Sequence, residues 1–253
     1  MKKFSLMLLT GLLFTCIFIV HGSADTVHYV TSVTPIHHGT NGWYYDGRNW
    51  IYLKNNHRLT GKHTFNHINY YFTNDGIQIL PYQINYQYEL SNRQGTNKKA
   101  RHRFIILHDV GTPGSAKSQA QYMKEHIDKR EAYSNFIVGD YGQVYQMKPA
   151  GTIAWGAGVV ANENSPAQIE LARTHNPIKF FQDYWTYIKL ARDMSGKYDI
   201  PLTLDKGNRN TPGIKSHIWV TNHIWGTHKD PYEYLIRFGV LRNVVAFNLR
   251  YGI

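Results

Sequence analysis

From Lys99 onward, apolar residues gather into short blocks and helical-period stripes separated by polar breaks. Arg103–Leu107 (RFIIL) is the kind of apolar, β-branched run that forms a buried strand, ending at His108. Asp109 to Gly114 reads as a loop. Ser115 reads as the cap of a helix reaching about Lys129, with Ala116, Ala120, Met123 and Ile127 on one face. Asn135–Val138 and Gln143–Met147 bracket Gly139-Asp140-Tyr141-Gly142 and predict a hairpin. Ala167–Leu171 is a further strand. Phe180, Tyr184, Tyr187, Ala191, Met194 and Tyr198 keep helical spacing and predict a long helix over 178–198, stopped before Pro201. Shorter helices are expected near 216–225, 230–238 and 241–249. Strands interleaved with helices argue an α/β domain from 99 to 253.

The N-terminal part has a different texture. Residues 1–24 carry Lys2 and Lys3, then an almost wholly apolar Met7–Val20, then Gly22-Ser23-Ala24, the pattern of a secretory signal peptide. Residues 25–41 read as a linker. GWYYDGRNWIYLKNNHRLTG (42–61) and KHTFNHINYYFTNDGIQIL (62–80) align with Tyr52 on Tyr71, Leu53 on Phe72, Asn55 on Asn74 and Asn56 on Asp75. Each unit is an aromatic strand running into an Asn/Asp/Gly turn. Alternating aromatics on hairpins make flat apolar faces that stack on sugar rings. The segment resembles the aromatic cell-wall-binding repeats of bacterial surface hydrolases; the alternative is extra strands packed on the main domain. Residues 81–98 are a connector with some strand character and a turn at Gln94-Gly95-Thr96-Asn97.

The formal charge of +11 is spread rather than blocked. It favours polyanions, which for an exported protein means anionic wall polymers or lipid surfaces, and no nucleic-acid motif is present. A monomer is the expected state. Cys16, the one cysteine, lies in the expected signal peptide. A disulfide-stapled scaffold, thiolate zinc sites and cysteine nucleophiles are thereby excluded from the mature chain.

The chemistry concentrates in KSHIWVTNHIWGTHKDPYEYL (215–235), which holds His217, His223, His228 and Asp230, with His108 at a strand end far upstream. Two imidazoles and a carboxylate suit Zn²⁺, and three protein ligands leave a fourth position open. His108, His217 and Asp230 are the candidate ligands. His223, six positions from His217, points elsewhere on a helix.

RFIILHDVG, SNFIVGDYGQVYQM, IAWGAG, QIELAR and SHIWVTNHIWGTHKDPYEYL occur here in an order that resembles zinc-dependent N-acetylmuramoyl-L-alanine amidases. The type is the one related to peptidoglycan recognition proteins and phage lysozymes, and the likeness covers about residues 100–238. It implies a central mixed β-sheet flanked by helices, zinc on His108, His217 and Asp230, and peptidoglycan as substrate. It further implies that His228 stabilises the transition state and that Glu170 is the general base, with Glu131 a weaker competitor. Tyr133, Trp155 and Gly156 are expected to line the cleft, the glycine by letting a glycopeptide approach the backbone. The implied reaction is hydrolysis of the amide between N-acetylmuramic acid and L-alanine by a secreted, wall-associated enzyme. The competing readings are a stem-peptide endopeptidase on the same scaffold and a non-catalytic peptidoglycan binder. Filled ligand positions favour an enzyme.

Overall fold

The computed structural model describes residues 34–35, 40–45, 48–66 and 68–253. The expected signal peptide, 1–24, lies outside the described residues. Within the stretch expected as linker, β1 (Thr34–Pro35) is instead a strand, paired antiparallel with β2 (Gly42–Tyr45). β3 (Trp50–Lys54) and β4 (His57–Arg58) complete a four-stranded sheet in sequence order. The β3–β4 turn is Asn55-Asn56, both left-handed, as a two-residue hairpin demands and as asparagine tolerates. β5 (Gly61–Phe65), β6 (Ile68–Phe72) and β7 (Gln78–Ile79) form a second antiparallel sheet.

The main sheet uses β8 (Ile84–Asn85), β9 (Phe104–Pro113), β10 (Phe136–Gly139), β11 (Gln143–Gln146), β12 (Ala167–Arg173) and β13 (Gly213–Ser216) in the order β13-β9-β12-β10-β11-β8. Only the β10–β11 hairpin is antiparallel, so the sheet is mixed. The helices are α1 (Ala116–Arg130), α2 (Val159–Glu163), α3 (Pro177–Lys197), α4 (His217–His223), α5 (Tyr232–Leu235), a 3₁₀ turn at Ile236–Phe238, and α6 (Arg242–Tyr251). Among the described residues, no helix is long and apolar enough to cross a membrane. This is the expected α/β architecture.

Strand parity sorts the core. Ile105, Leu107, Ile169 and Leu171 face α3, where Phe180, Tyr184, Tyr187 and Ile188 bury their rings and branches. The intervening Phe104 and Ile106 face α4 through Trp219 and Val220, and Ile137 faces α1 through Ala116, Ala120 and Ile127. Strands buried on both sides read as unbroken apolar runs, which is why RFIIL was legible. Ser115 caps α1 by accepting the Ser118 N–H, and Asn176 caps α3 by accepting the Lys179 N–H.

Several elements differ from expectation. β9 does not end at His108 but continues to Pro113, because β12 runs on beside it and a register shift between Leu171 and Arg173 pairs Arg173 with Pro113. α4 stops at His223, and the helix expected over 230–238 divides into α5 and the 3₁₀ turn. β13 and α2 had no anticipated counterpart.

The aromatic faces of residues 42–80 are also placed differently from the open faces expected of them. Trp43, Trp50, Tyr70 and Phe72 are buried in one cluster with Met194 and Tyr198 of α3 and its C-terminal cap. Gly196 makes this possible: a Cβ there would stand 2.0 Å from the Tyr70 hydroxyl. The outward side keeps Tyr71, 47% exposed, with Lys62 beside its ring.

Candidate metal and active site

The sheet's parity also builds the site. His108 follows Phe104 and Ile106 on the face away from α3, and it pairs directly with Glu170 across β9 and β12. Gln168, two residues before Glu170, shares that face. Ser216 ends β13 and caps α4, its hydroxyl accepting the Trp219 N–H, so His217 stands at the first helical position. The chain returns to Asp230 immediately before α5, and the Ile218 N–H donates to the Asp230 carbonyl, tying the two segments together.

These elements bring His108, His217 and Asp230 together, with one donor atom from each lying within 4.8 Å of the others. The two Nδ1 atoms are 2.9 Å apart, and the Asp230 carboxylate lies 3.2 Å from His217 Nδ1 and 3.7 Å from His108 Nδ1. The second nitrogen of His108 is fixed by a chain of unambiguous donors. The Ala157 N–H donates to Asn162 Oδ1, so that atom is an acceptor; it also receives the Gln168 amide N–H. Gln168 Oε1 is left to accept from His108 Nε2 at 3.1 Å. The proton of His108 therefore sits on Nε2, and Nδ1 carries the free lone pair. Burial, reinforced by His217, pushes His108 down to about 3, so it is neutral. Burial is the largest single influence and acts to raise Asp230, but the hydrogen bond from His217 and the neighbouring His108 and His217 imidazoles together outweigh it and hold the carboxyl at about 2, ionised. Two imidazole nitrogens and a carboxylate converging on one point fit a divalent ion of the zinc class.

Glu170 is 9% exposed; Oε1 accepts the Ser134 hydroxyl at 3.0 Å and Oε2 has no hydrogen-bond partner among the described residues. Burial, then the charge of Asp230, raises it well above the usual carboxylate value. Asp109 is likewise raised by burial, though Arg173 and the Gly111 N–H hold one of its oxygens. Its own N–H donates to Asp230 Oδ2 at 3.2 Å.

His228 lies over the site's outer side. Its ring stacks on His217 at 4.0 Å, Nδ1 is 3.4 Å from Asp230 Oδ1, and the side chain is 61% exposed. These groups line a cleft of about 510 Å³, walled by Met123 and His126 of α1 on one part and by Trp155, Trp225 and Lys229 elsewhere. Tyr133 and Gly156 also line it. Tyr133 is tied down by donating to the Ile153 carbonyl and accepting the Thr96 N–H, and its ring meets Trp155 edge-on at 5.3 Å. Gly156 has a further reason to lack a side chain: its missing Cβ would stand 2.5 Å from Gln168 Oε1 and 3.1 Å from Ser134 Oγ. The small residue makes room for the partners of His108 and Glu170. Glu131 caps the exposed end of α1 and is not part of the cleft lining, and His223 stacks on Trp219 outside the site. Gln168, Ser134 and Asn162 were not singled out from the sequence. The period of two that links Gln168 to Glu170 was the available signal.

Comparison with known proteins agrees with this geometry. A family model described as N-acetylmuramoyl-L-alanine amidase matches residues 98–233. The chain is 38% identical over 149 residues to an endolysin of Listeria phage A511, covering 58% of this chain and 43% of the endolysin. It is 28% identical over 156 residues to a lytic amidase of Streptococcus pneumoniae phage HB-3, covering 60% and 48%. It thus spans less than half the length of these relatives. Among solved structures, the Staphylococcus aureus hydrolase AmiA, in complex with its ligand, superposes with a TM-score of 0.57 at 20% identity over 69% of this chain and 84% of that one. PlyL superposes at 0.52 with 15% identity, over 69% and 99%. With more than half of its residues inside the family model, the chain belongs to the N-acetylmuramoyl-L-alanine amidase family.

Proposed function

We propose that the protein is a secreted zinc amidase that hydrolyses the bond between N-acetylmuramic acid and the L-alanine of the peptidoglycan stem. The observation that carries this reading is the convergence of His108, His217 and Asp230 on one point of the cleft, with Glu170 in register beside His108. In this reading those three residues hold the ion. Zinc supplies Lewis acidity toward the scissile carbonyl and lowers the pKa of the attacking water. Glu170 takes the proton from that water: a carboxylate whose proton affinity has been raised by burial is a better base, and it later returns the proton to the departing amine of L-alanine. His228, exposed on the cleft side of His217, donates to the oxyanion that develops on the carbonyl. Trp155 offers an apolar wall backed by Tyr133, and Gly156 keeps Gln168 in place.

Residues 1–24 direct export, and the spread charge of +9 that remains once Lys2 and Lys3 are removed (11 − 2) draws the protein to anionic wall polymers. Retention by residues 42–80 then falls to their outward side, around Tyr71 and Lys62, since Trp43, Trp50, Tyr70 and Phe72 belong to the core.

Mass spectrometry of purified walls digested with the protein tests the reading. New L-alanine amino termini on an otherwise intact glycan are expected. Cleavage inside the stem peptide, or no cleavage by zinc-loaded protein, overturns it.

A further inference from the structure

His217 and Asp230 come from different segments, and a carboxylate outside the donor set joins those segments. Asp205 lies in the loop before β13, held there as its N–H donates to the Ile214 carbonyl. Its side chain is 4% exposed. Oδ1 accepts the Ser216 N–H at 2.7 Å, and Oδ2 accepts the Ser216 hydroxyl at 2.9 Å and the Tyr232 hydroxyl at 2.6 Å. Arg242 of α6 adds an ion pair to Oδ2 at 3.3 Å. Ser216 is the residue before His217 and also the cap of α4; Tyr232 is two residues after Asp230 and opens α5. One side chain therefore clamps the approach to one donor and the departure from another.

We propose that Asp205 is a positioning residue for the metal site, setting the spacing of His217 and Asp230 before the ion arrives. This rests on the zinc reading above and deepens it. The physical reasoning is that of an outer partner that fixes a ligand's orientation, here through the backbone rather than through an imidazole nitrogen. Ser216 already serves α4 by accepting the Trp219 N–H, so its hydroxyl proton is free to be donated to Asp205 while its oxygen caps the helix. Tyr232 is half-buried against the core, and with Asp205 gone its hydroxyl loses this acceptor, so the segment after Asp230 has reason to shift. Asp205 touches neither the donors nor the cleft, and its effect must pass through Ser216 and Tyr232.

The test compares Asp205→Ala and Tyr232→Phe with Val144→Ala, a core truncation on β11 that serves as a matched loss of stability. Zinc affinity is measured by competition with a chromophoric chelator, and the geometry is read from the visible spectrum of the cobalt-substituted protein. Asp205→Ala is expected to weaken zinc binding by about ten- to a hundredfold and to alter the cobalt bands. Tyr232→Phe, which removes one clasp and keeps the fold if Asp205→Ala does not, is expected to weaken binding by a smaller factor in the same direction. Val144→Ala is expected to lower the melting temperature and leave affinity and spectrum unchanged. Zinc affinity and cobalt bands in both clamp variants equal to the unsubstituted protein's would overturn the assignment while leaving the metal reading intact. An unsubstituted protein that takes up neither ion would overturn the metal reading, and this assignment with it.

Discussion

Two buried carboxylates, Asp193 and Glu170, receive opposite treatment. Asp193 lies where the N-terminal hairpins meet α3. It accepts the Tyr82 hydroxyl, the Gln78 amide at 3.2 Å and the Lys197 ammonium at 2.6 Å. Lys197 in turn lies 4.1 Å from the centre of the Trp50 ring. Glu170, on the cleft side of the sheet, accepts one hydroxyl and leaves Oε2 without a partner among the described residues. Burying a charge costs heavily unless its hydrogen-bonding capacity is met. The first site meets it and gains a fixed junction between the hairpins and the helix. The second leaves it unmet, and the surplus proton affinity is what a general base needs.

The contrast predicts effects of opposite sign on stability. The largest belongs to Glu170→Gln, which should lower turnover on wall fragments by about 10²- to 10⁴-fold while zinc content stays unchanged. The same substitution should stabilise the fold. The Glu170 carboxyl is raised in the folded state, so its protonated form is the favoured one. Its stabilising contribution is complete below its ordinary value of 4.5 and is lost as pH rises through the folded value. Glutamine imitates the protonated acid at every pH. In chelator-treated protein, the variant's melting temperature should exceed that of the unsubstituted protein by a margin that opens above about 4.5 and widens as pH rises toward the raised folded value. A margin that narrowed with pH would contradict the assignment of the buried charge.

At the other carboxylate, Asp193→Ala should cost about 3–5 kcal/mol in denaturant unfolding, because it breaks a buried ion pair. Burial already pushes Lys197 down to about 8, against the pull of Asp193. Exchanging both partners, as Asp193→Leu with Lys197→Met, should recover most of that loss, since an apolar pair removes the desolvation cost together with the attraction. If the double variant is no more stable than the single, the ion pair contributes shape or register beyond compensation of charge.

The same contrast explains what could be read from the residues alone. β9, α1 and α3 were legible because each carries its own signal: an unbroken apolar run, a capping serine, a stripe at helical period. His108, His217 and Asp230 were legible because donor chemistry restricts the choice of residue. β13 was not legible: Gly213–Ser216 is four residues long, includes a buried lysine, and is a strand only because Phe104–Leu107 lies alongside it. The inward turn of Trp43 and Tyr70 was illegible for a related reason. An alternating aromatic strand looks the same whether it faces sugar or faces α3, and the deciding residue, Gly196, lies more than a hundred positions away. Gln168 and Asp205 are ordinary polar residues whose roles exist only through their partners.

The smallest expected effect separates packing from ligand approach at Gly156. The sequence-based expectation gave this glycine to the substrate, and the geometry adds Gln168 as a second claimant. Alanine at this position would place a methyl 2.5 Å from Gln168 Oε1, far inside contact distance. Gln168 must then move or rotate, and the acceptor for the His108 Nε2 proton moves with it. His108 loses the partner that fixes its tautomer, so Gly156→Ala should weaken zinc binding by about tenfold, with turnover at saturating zinc falling much less. Gln168→Ala should weaken zinc binding to a similar degree, and in that background adding Gly156→Ala should cost little more, because the atom it would strike is gone. If Gly156→Ala instead raises KM for wall fragments with zinc affinity untouched, the glycine belongs to the substrate after all.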